Sequence, residues 1–398
     1  MNCFSINIKN TKVILALGAE SDGNFSIYLN NKIYFSCSFG DLLDEEKYQN
    51  FQKFVLDFFK KNKIKPDIIL TDLHPLYKTT IWGKELSQKF KAKHIQVQHH
   101  IAHIFSTIGE KIIIENCKLK IENCIGISCD GTGYGLDGKI WGGEIFKFKV
   151  KSLKLKVIER VAHLENQIMI GGDLAVKEPA RMLIAILDKF SMDSISLLQA
   201  FNFQFSNKKE FIFSFVKKYY TRNQFELLYN QFKQNFNCQE TSSTGRILDA
   251  VSVLLEFCKN ERNYKHEPID LLEKNSCVPC GMGSGFGACV EPCQTIQDSK
   301  FILQTTYLFE YLINNLHRDK KRLATIAQLY IAQGLYEIIK NLKPKNYNLK
   351  IIFFAGGMAN NKIISSYLKS KGVYINTKIP SGDAGLSFGQ IVFYLFNF

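Results

Sequence analysis

Four times along this sequence a glycine-rich turn carries an Asp or Asn where a strand-like run ends or a helix begins. The turns are Asp130-Gly131-Thr132-Gly133-Tyr134-Gly135, Gly171-Gly172-Asp173, Ala355-Gly356-Gly357-Met358-Ala359-Asn360 and Ser381-Gly382-Asp383-Ala384-Gly385. Glycine lets the backbone turn tightly and lets a phosphate or sugar approach the main chain with no Cβ in the way. Taken singly, each turn is a weak signal. The first is also a common hairpin turn, and Asp173 is as readily a helix N-cap. The four together constrain the fold much more strongly.

Between the turns, strand and helix patterns alternate. Strands are expected at residues 11–17, 26–29 and 33–39, as a meander, and at 67–70, 95–98 and 123–128. Helices are expected at 45–61, with Phe51, Phe54, Val55, Phe58 and Phe59 on one face, at 81–90 and around 99–108. Such alternation predicts a largely parallel sheet with crossover helices. The centre changes character, with helix-period segments at 175–187, 224–236, 246–257 and 323–342. A strand at 349–354, a helix from Asn360 and a final helix after Gly382 restore the earlier pattern.

At 398 residues the chain exceeds one ordinary core, so two lobes are expected. The first spans residues 1–122, with a C-terminal helix at 384–398 packing back on it. The second spans 123–383 and includes a helical insertion at about 174–345 and a cysteine-rich insertion at 276–300. No Walker A loop, dinucleotide fingerprint, GxSxG elbow or HExxH occurs. Scattered glycine turns around a split sheet are instead how two-lobed, actin-like ATPases with ribonuclease H-like lobes hold nucleotide. The expected class is therefore α/β, actin-like, with a helical insertion in the second lobe.

The formal charge of +14 invites a nucleic-acid partner, but only seven of the 51 basic residues are arginine and the lysines are scattered rather than striped. No specific nucleic-acid partner is expected. No run of about 18 apolar residues and no signal-peptide pattern is present, so no membrane partner is expected and the location reads as cytoplasmic.

His99 and His103 stand at i and i+4, which on a helix places both imidazoles on one face and suits two ligands of one metal. An arbitrary pair of this kind is more often two surface histidines. This pair, however, begins where a strand ends, at the carboxyl edge where open α/β sheets place ligands. Asp130, at the end of the next strand, could also reach a metal. Cys277, Cys280, Cys289 and Cys293 lie within seventeen residues of one another. Without an export signal they are a metal candidate before they are a disulfide framework, for Zn ahead of an iron–sulfur cluster. A flexible insertion whose cysteines bind nothing is the alternative.

Several segments together resemble a known family. They are Thr71-Asp72-Leu73-His74-Pro75, the run from Val97 to His103, Asp130 to Gly135, Trp141-Gly142-Gly143-Glu144 and Arg160-Val161-Ala162-His163-Leu164. Gly171-Gly172-Asp173 with Glu178-Pro179 and Arg181, Ser243-Thr244-Gly245-Arg246, Ala355-Gly356-Gly357 and Ser381 to Gly385 continue the series. In order and spacing these are similar to the C-terminal domain of the HypF hydrogenase-maturation carbamoyltransferases.

The resemblance implies an actin-like fold shared with small-molecule O-carbamoyltransferases and tRNA threonylcarbamoyl-transfer enzymes. It implies that His99, His103, Asp130 and Asp383 ligate one divalent metal, Fe or Zn, and act as the catalytic centre. It implies that Gly131, Thr132, Gly133, Gly171, Gly172, Asp173, Gly356, Gly357 and Asn360 hold ATP or a carbamoyl-adenylate. The implied reaction carries a carbamoyl group, derived from carbamoyl phosphate and ATP, to the C-terminal cysteine thiol of a HypE-like acceptor protein. The near alternative is carbamoylation of a small-molecule hydroxyl, and an alternative of another class is a nucleotide-binding scaffold without turnover. Family members carry an adenylate-forming domain ahead of this one, and none fits before Thr11, so a separate activating protein is expected as a partner. Two departures stand out: the cysteine-rich insertion, and Tyr264-Lys265-His266-Glu267, where the family has Tyr, Glu and Gly.

Overall fold

The computed structural model describes the chain apart from residues 7, 9, 116–123, 152–153, 193–204, 206, 278–300, 343–350 and 398. Two mixed sheets lie on either side of a pair of helices, with further helices on each outer face. The architecture is α/β, two-lobed and actin-like.

The first sheet holds β1 (Asn2–Ser5), β2 (Ile14–Ala16), β3 (Ser26–Leu29), β4 (Lys32–Phe35), β5 (Ile68–Asp72) and β6 (Lys93–Val97), in the order β1-β4-β3-β2-β5-β6. The meander β1 to β4 pairs antiparallel, while β2, β5 and β6 run parallel, joined through α1 (Glu45–Asn62) and α2 (Lys78–Phe90). Strand residues alternate between faces. Ile14, Ala16, Tyr28, Ile68 and Leu70 enter the core shared with the second sheet; Leu15, Leu17, Ile27 and Ile69 enter the core beneath α1 and α2. Asp44 caps α1 by accepting from the Glu46 and Lys47 amides. The buried stripe of α1 is Phe51, Val55 and Phe59, spaced by four. Phe54, expected on the same face, is exposed, because a three-residue step rotates it off that narrow stripe.

The second sheet contains β7 (Cys124–Tyr134), β8 (Ile140–Lys151), β9 (Lys154–Leu164), β10 (Gln167–Ile170), β11 (Cys238–Thr241), β12 (Ile302–Leu303), β13 (Ile351–Ala355) and β14 (Tyr374–Ile375). β7, β13 and β14 are parallel, whereas β7, β8 and β9 form an antiparallel meander. The expectation of a largely parallel sheet is therefore corrected: both sheets are mixed. The links after β7 and β8 are too short for a crossover, and only antiparallel strands can be joined by so few residues. Helices Thr244–Leu254 and Lys320–Asn341 contribute to the core that includes the Ile125, Ile127 and Cys129 face of β7. The single helix expected at 175–187 is two, Leu174–Lys177 and Ala180–Asp188. Pro179 separates them, since it has no amide hydrogen to continue the ladder.

α3 (His99–Glu115) and the last helix, Leu386–Asn397, form the middle layer. α3 packs on β7 and β13, and the last helix on β2 to β5. Their crossing is very close. A Cβ on Gly389 would lie 1.8 Å from the Ala102 carbonyl oxygen, and one on Gly109 would lie 2.5 Å from Val392 Cγ2. Among the described residues, no helix is long and apolar enough to cross a membrane.

Candidate metal centre

β6 ends at Val97 and α3 begins at His99, so both His99 and His103 stand in the opening turns of α3 with their rings 4.7 Å apart. Asp130 arrives from β7. The glycine turn was expected to end that strand; instead the strand continues through it to Tyr134, with a register shift against β8 between Cys129 and Gly133. The glycines permit a bulge, and the bulge re-aims Asp130 toward α3. Asp383 opens the short 3-10 turn Asp383–Gly385 that leads into the last helix. The close crossing of that helix with α3 delivers it to the histidines.

The four side chains meet. His99 Nε2 and His103 Nε2 are 3.1 Å apart and lie 3.0 and 3.1 Å from Asp130 Oδ2. Asp383 Oδ1 is 3.4 and 3.5 Å from the same two nitrogens. Metal–nitrogen and metal–oxygen bonds of about 2.1 Å put neighbouring ligand atoms about 3.0–3.4 Å apart, so these spacings fit one ion. The chemistry of the donors agrees. A carboxylate only accepts, so the 2.7 Å contact between His99 Nδ1 and Asp72 Oδ2 puts the proton of a neutral ring on Nδ1 and leaves Nε2 bare. His103 Nε2 lies 3.1 Å from that bare nitrogen and 3.1 Å from Asp130 Oδ2, a spacing that calls for a proton or a cation between them. Asp383 Oδ1 is buried without a hydrogen-bond partner, as a vacant ligand oxygen would be. The residues present fit a divalent metal.

Burial works against charge on all four groups and is outweighed in each. The carboxylates of Asp72, Asp130 and Asp383 hold His99 well above the ordinary imidazole range, and Asp130 and Asp383 raise His103 as well. The histidines hold Asp130 well below the carboxylate range, and Lys265 with the same histidines does so for Asp383. A field that keeps protons on these imidazoles favours a dication in their place. His100 differs: burial, reinforced by His99, drives it well below its ordinary value, so its ring is neutral.

The glycine turns divide by role. Gly357 donates its amide to Asp130 Oδ1 at 3.3 Å, and Gly382 packs on Gly357 and near Asn360. Gly131 has only Arg246 within reach of an added Cβ, and Thr132 is exposed, so this stretch of backbone is open beside the metal ligand. Gly133 is required by packing, since its Cβ would lie 2.4 Å from His100 Cε1. Gly356, at φ 94°, passes so close to the Cys129 carbonyl that a Cβ would lie 2.3 Å from it. Gly171 and Gly172 take positive φ, and no hydrogen bond among the described residues ties their turn to the cluster. Asp173 stands at the N-cap position of Leu174–Lys177, but it is exposed and makes no side-chain cap bond. Asn360 closes a 3-10 turn, and it is Asn361 that caps the following helix, Lys362–Ser370.

Three contributors escaped sequence reasoning. Asp72 lies in a segment that was noted but given no role. Its position, ending the strand beside the one that feeds α3, was the available signal. Ser21 and Lys265 both touch Asp383 from loops, where no periodicity points to them. Of the cysteine cluster, Cys277 is half-buried; Cys280, Cys289 and Cys293 lie outside the described residues.

Residues 9–110 match the family described as the HypF Kae1-like domain, and residues 126–390 match the second subdomain of the carbamoyltransferase Kae1-like domain. A probable carbamoyltransferase HypF of Methanocaldococcus jannaschii is 36% identical over 98% of this chain and 47% of its own length. A carbamoyltransferase HypF homologue of Cupriavidus necator is 24% identical over 95% of this chain and 90% of its own. This chain thus spans about half the length of the Methanocaldococcus protein. Among solved structures, full-length HypF in a phosphate- and nucleotide-bound form superposes over 99% of this chain and 47% of its own with a TM-score of 0.81 at 24% identity. HypF of T. kodakarensis does so over 99% and 49% with a TM-score of 0.79 at 27% identity. With one family match covering both histidines and the next covering Asp130 and Asp383, the chain belongs to the HypF family of Kae1-like carbamoyltransferase domains.

Proposed function

We propose that this chain performs the transfer step of hydrogenase maturation, moving a carbamoyl group from carbamoyl-adenylate to the C-terminal cysteine thiol of a HypE-like acceptor. The observation that carries the reading is the four-ligand cluster lying beside the open glycine backbone at Gly131. A cation site next to main chain without Cβ atoms suits a nucleotide phosphate. The nucleotide- and phosphate-bound state of the full-length HypF relative supports the same reading.

In the reaction the thiolate sulfur attacks the carbamoyl carbon, the bond from that carbon to the phosphate oxygen breaks, and AMP leaves with the electron pair. A divalent ion bound at the cluster would supply charge stabilisation to the leaving phosphate. His99, His103, Asp130 and Asp383 hold it, and Asp72 fixes the His99 ring. The Gly131 and Gly357 amides hold Asp130 Oδ1, and the exposed backbone at Thr132 leaves room for the phosphate beside it. The lobes on either side exclude water, which would otherwise compete with the thiol.

Isotope transfer from labelled carbamoyl-adenylate tests this. Label on a cysteine-terminated acceptor peptide supports the reading. Label on a sugar hydroxyl instead establishes the small-molecule alternative, and label on neither leaves a nucleotide-binding scaffold.

A further inference from the structure

Lys265 brings a positive charge to the metal cluster from the other side of the cleft. Its Nζ donates to Ser21 Oγ at 2.8 Å and stands 3.5 Å from Asp383 Oδ2. Ser21 lies in the loop between β2 and β3 of the first lobe, and Lys265 lies just ahead of helix Glu267–Lys274 in the second. The side chain therefore bridges the mouth of the cleft. Its base is fixed: the Lys265 carbonyl accepts from Arg262 Nη1 at 2.7 Å, and Arg262 is paired with the buried Asp249. The side chain is 52% exposed, so the ammonium touches a ligand carboxylate and yet faces solvent.

The charges around the ion make this position consequential. A divalent cation with ionised Asp130 and Asp383 and two neutral imidazoles is balanced. The buried Asp72, hydrogen-bonded to His99, takes the group to −1. A phosphate would then approach a negative site. Arg246 and Arg262 are buried near by, but both guanidinium groups are engaged by Asp249. The Lys265 ammonium returns the site to neutrality where an incoming anion would meet it.

We propose that Lys265, seated on Ser21, is an anion-binding residue of the metal cleft: it gives up its contact with the serine hydroxyl and takes a phosphate oxygen of the ligand. This rests on the nucleotide reading above. Titration calorimetry with ATP and with adenosine, on metal-containing wild-type protein and on Lys265→Met and Lys265→Arg, tests it. A half-exposed cation near an anion is worth roughly one factor of ten in affinity once solvent screening is allowed for. The expected result is an ATP affinity about tenfold weaker in Lys265→Met, near wild type in Lys265→Arg, with adenosine affinity and metal content unchanged. Undiminished ATP binding by Lys265→Met overturns the proposal and leaves the nucleotide reading standing. An equal loss for ATP and adenosine also overturns it, by showing that the residue shapes the cleft instead of contacting the anion. Wild-type protein that binds no ATP removes the nucleotide reading and the proposal together.

Discussion

Asp72 Oδ2 lies 2.7 Å from His99 Nδ1, on the far side of the ring from the nitrogen that faces the metal position. The carboxylate fixes both tautomer and ring angle, and such outer partners typically contribute about 10- to 100-fold to metal affinity. Asp72→Asn keeps the shape but offers an amide that can turn its NH2 toward Nδ1. The expected outcome is a metal dissociation constant raised by about 10- to 100-fold in chelator competition, with the far-ultraviolet circular dichroism unchanged. An unaltered constant would show that Asp72 does not orient His99.

His103 has no equivalent support, because its Nδ1 is buried without a hydrogen-bond partner among the described residues. Apart from the Nε2 contact with Asp130, its place is set by α3. His103→Ala should abolish stoichiometric metal by elemental analysis while the chain stays folded. Metal at one equivalent in the folded variant contradicts the ligand assignment.

The crossing of α3 with the last helix leaves no room at Gly389, where a Cβ would lie 1.8 Å from the Ala102 carbonyl oxygen. A backbone atom cannot swing aside, so Gly389→Ala forces the helices apart. Overpacking of this kind costs about 1–3 kcal/mol, which a denaturant titration would read directly. Since the same crossing delivers Asp383 to the histidines, metal affinity should fall with stability. A stable variant that binds metal normally would show that the helices tolerate separation.

Thiol reactivity should follow burial. Burial pushes Cys124 up to about 12 and Cys258 up to about 11, whereas Cys3 and Cys37 are exposed. Only the thiolate is alkylated, and at pH 8 a group with so high a pKa supplies very little of it. Iodoacetamide on native protein should label Cys3 and Cys37 and spare Cys124 and Cys258, as peptide mass spectrometry would show. Rapid labelling of Cys124 would indicate that α3 and the second sheet open together.

Much of this organisation was legible in the residues. The i, i+4 histidines after a strand announced a shared face, because helix geometry alone puts them there. The glycine turns announced that backbone would be approached closely, and at Gly357 it is, by a metal ligand. One feature misled. Three glycines in five positions looked like the end of a strand but form a bulge, since a strand that keeps a partner need not stop where it kinks. Gly133, read as part of a phosphate turn, also makes room for the His100 ring.

The sequence by itself determined the local geometry: which residues share a helix face and which short strands are buried. Those are properties of neighbours along the chain. Only the tertiary structure decided that Asp72 backs the His99 ring and that Lys265 reaches Asp383 at the same cluster. Their meeting depends on how closely two helices cross and how two sheets face each other, and contacts between such distant positions leave no periodic trace in a single sequence.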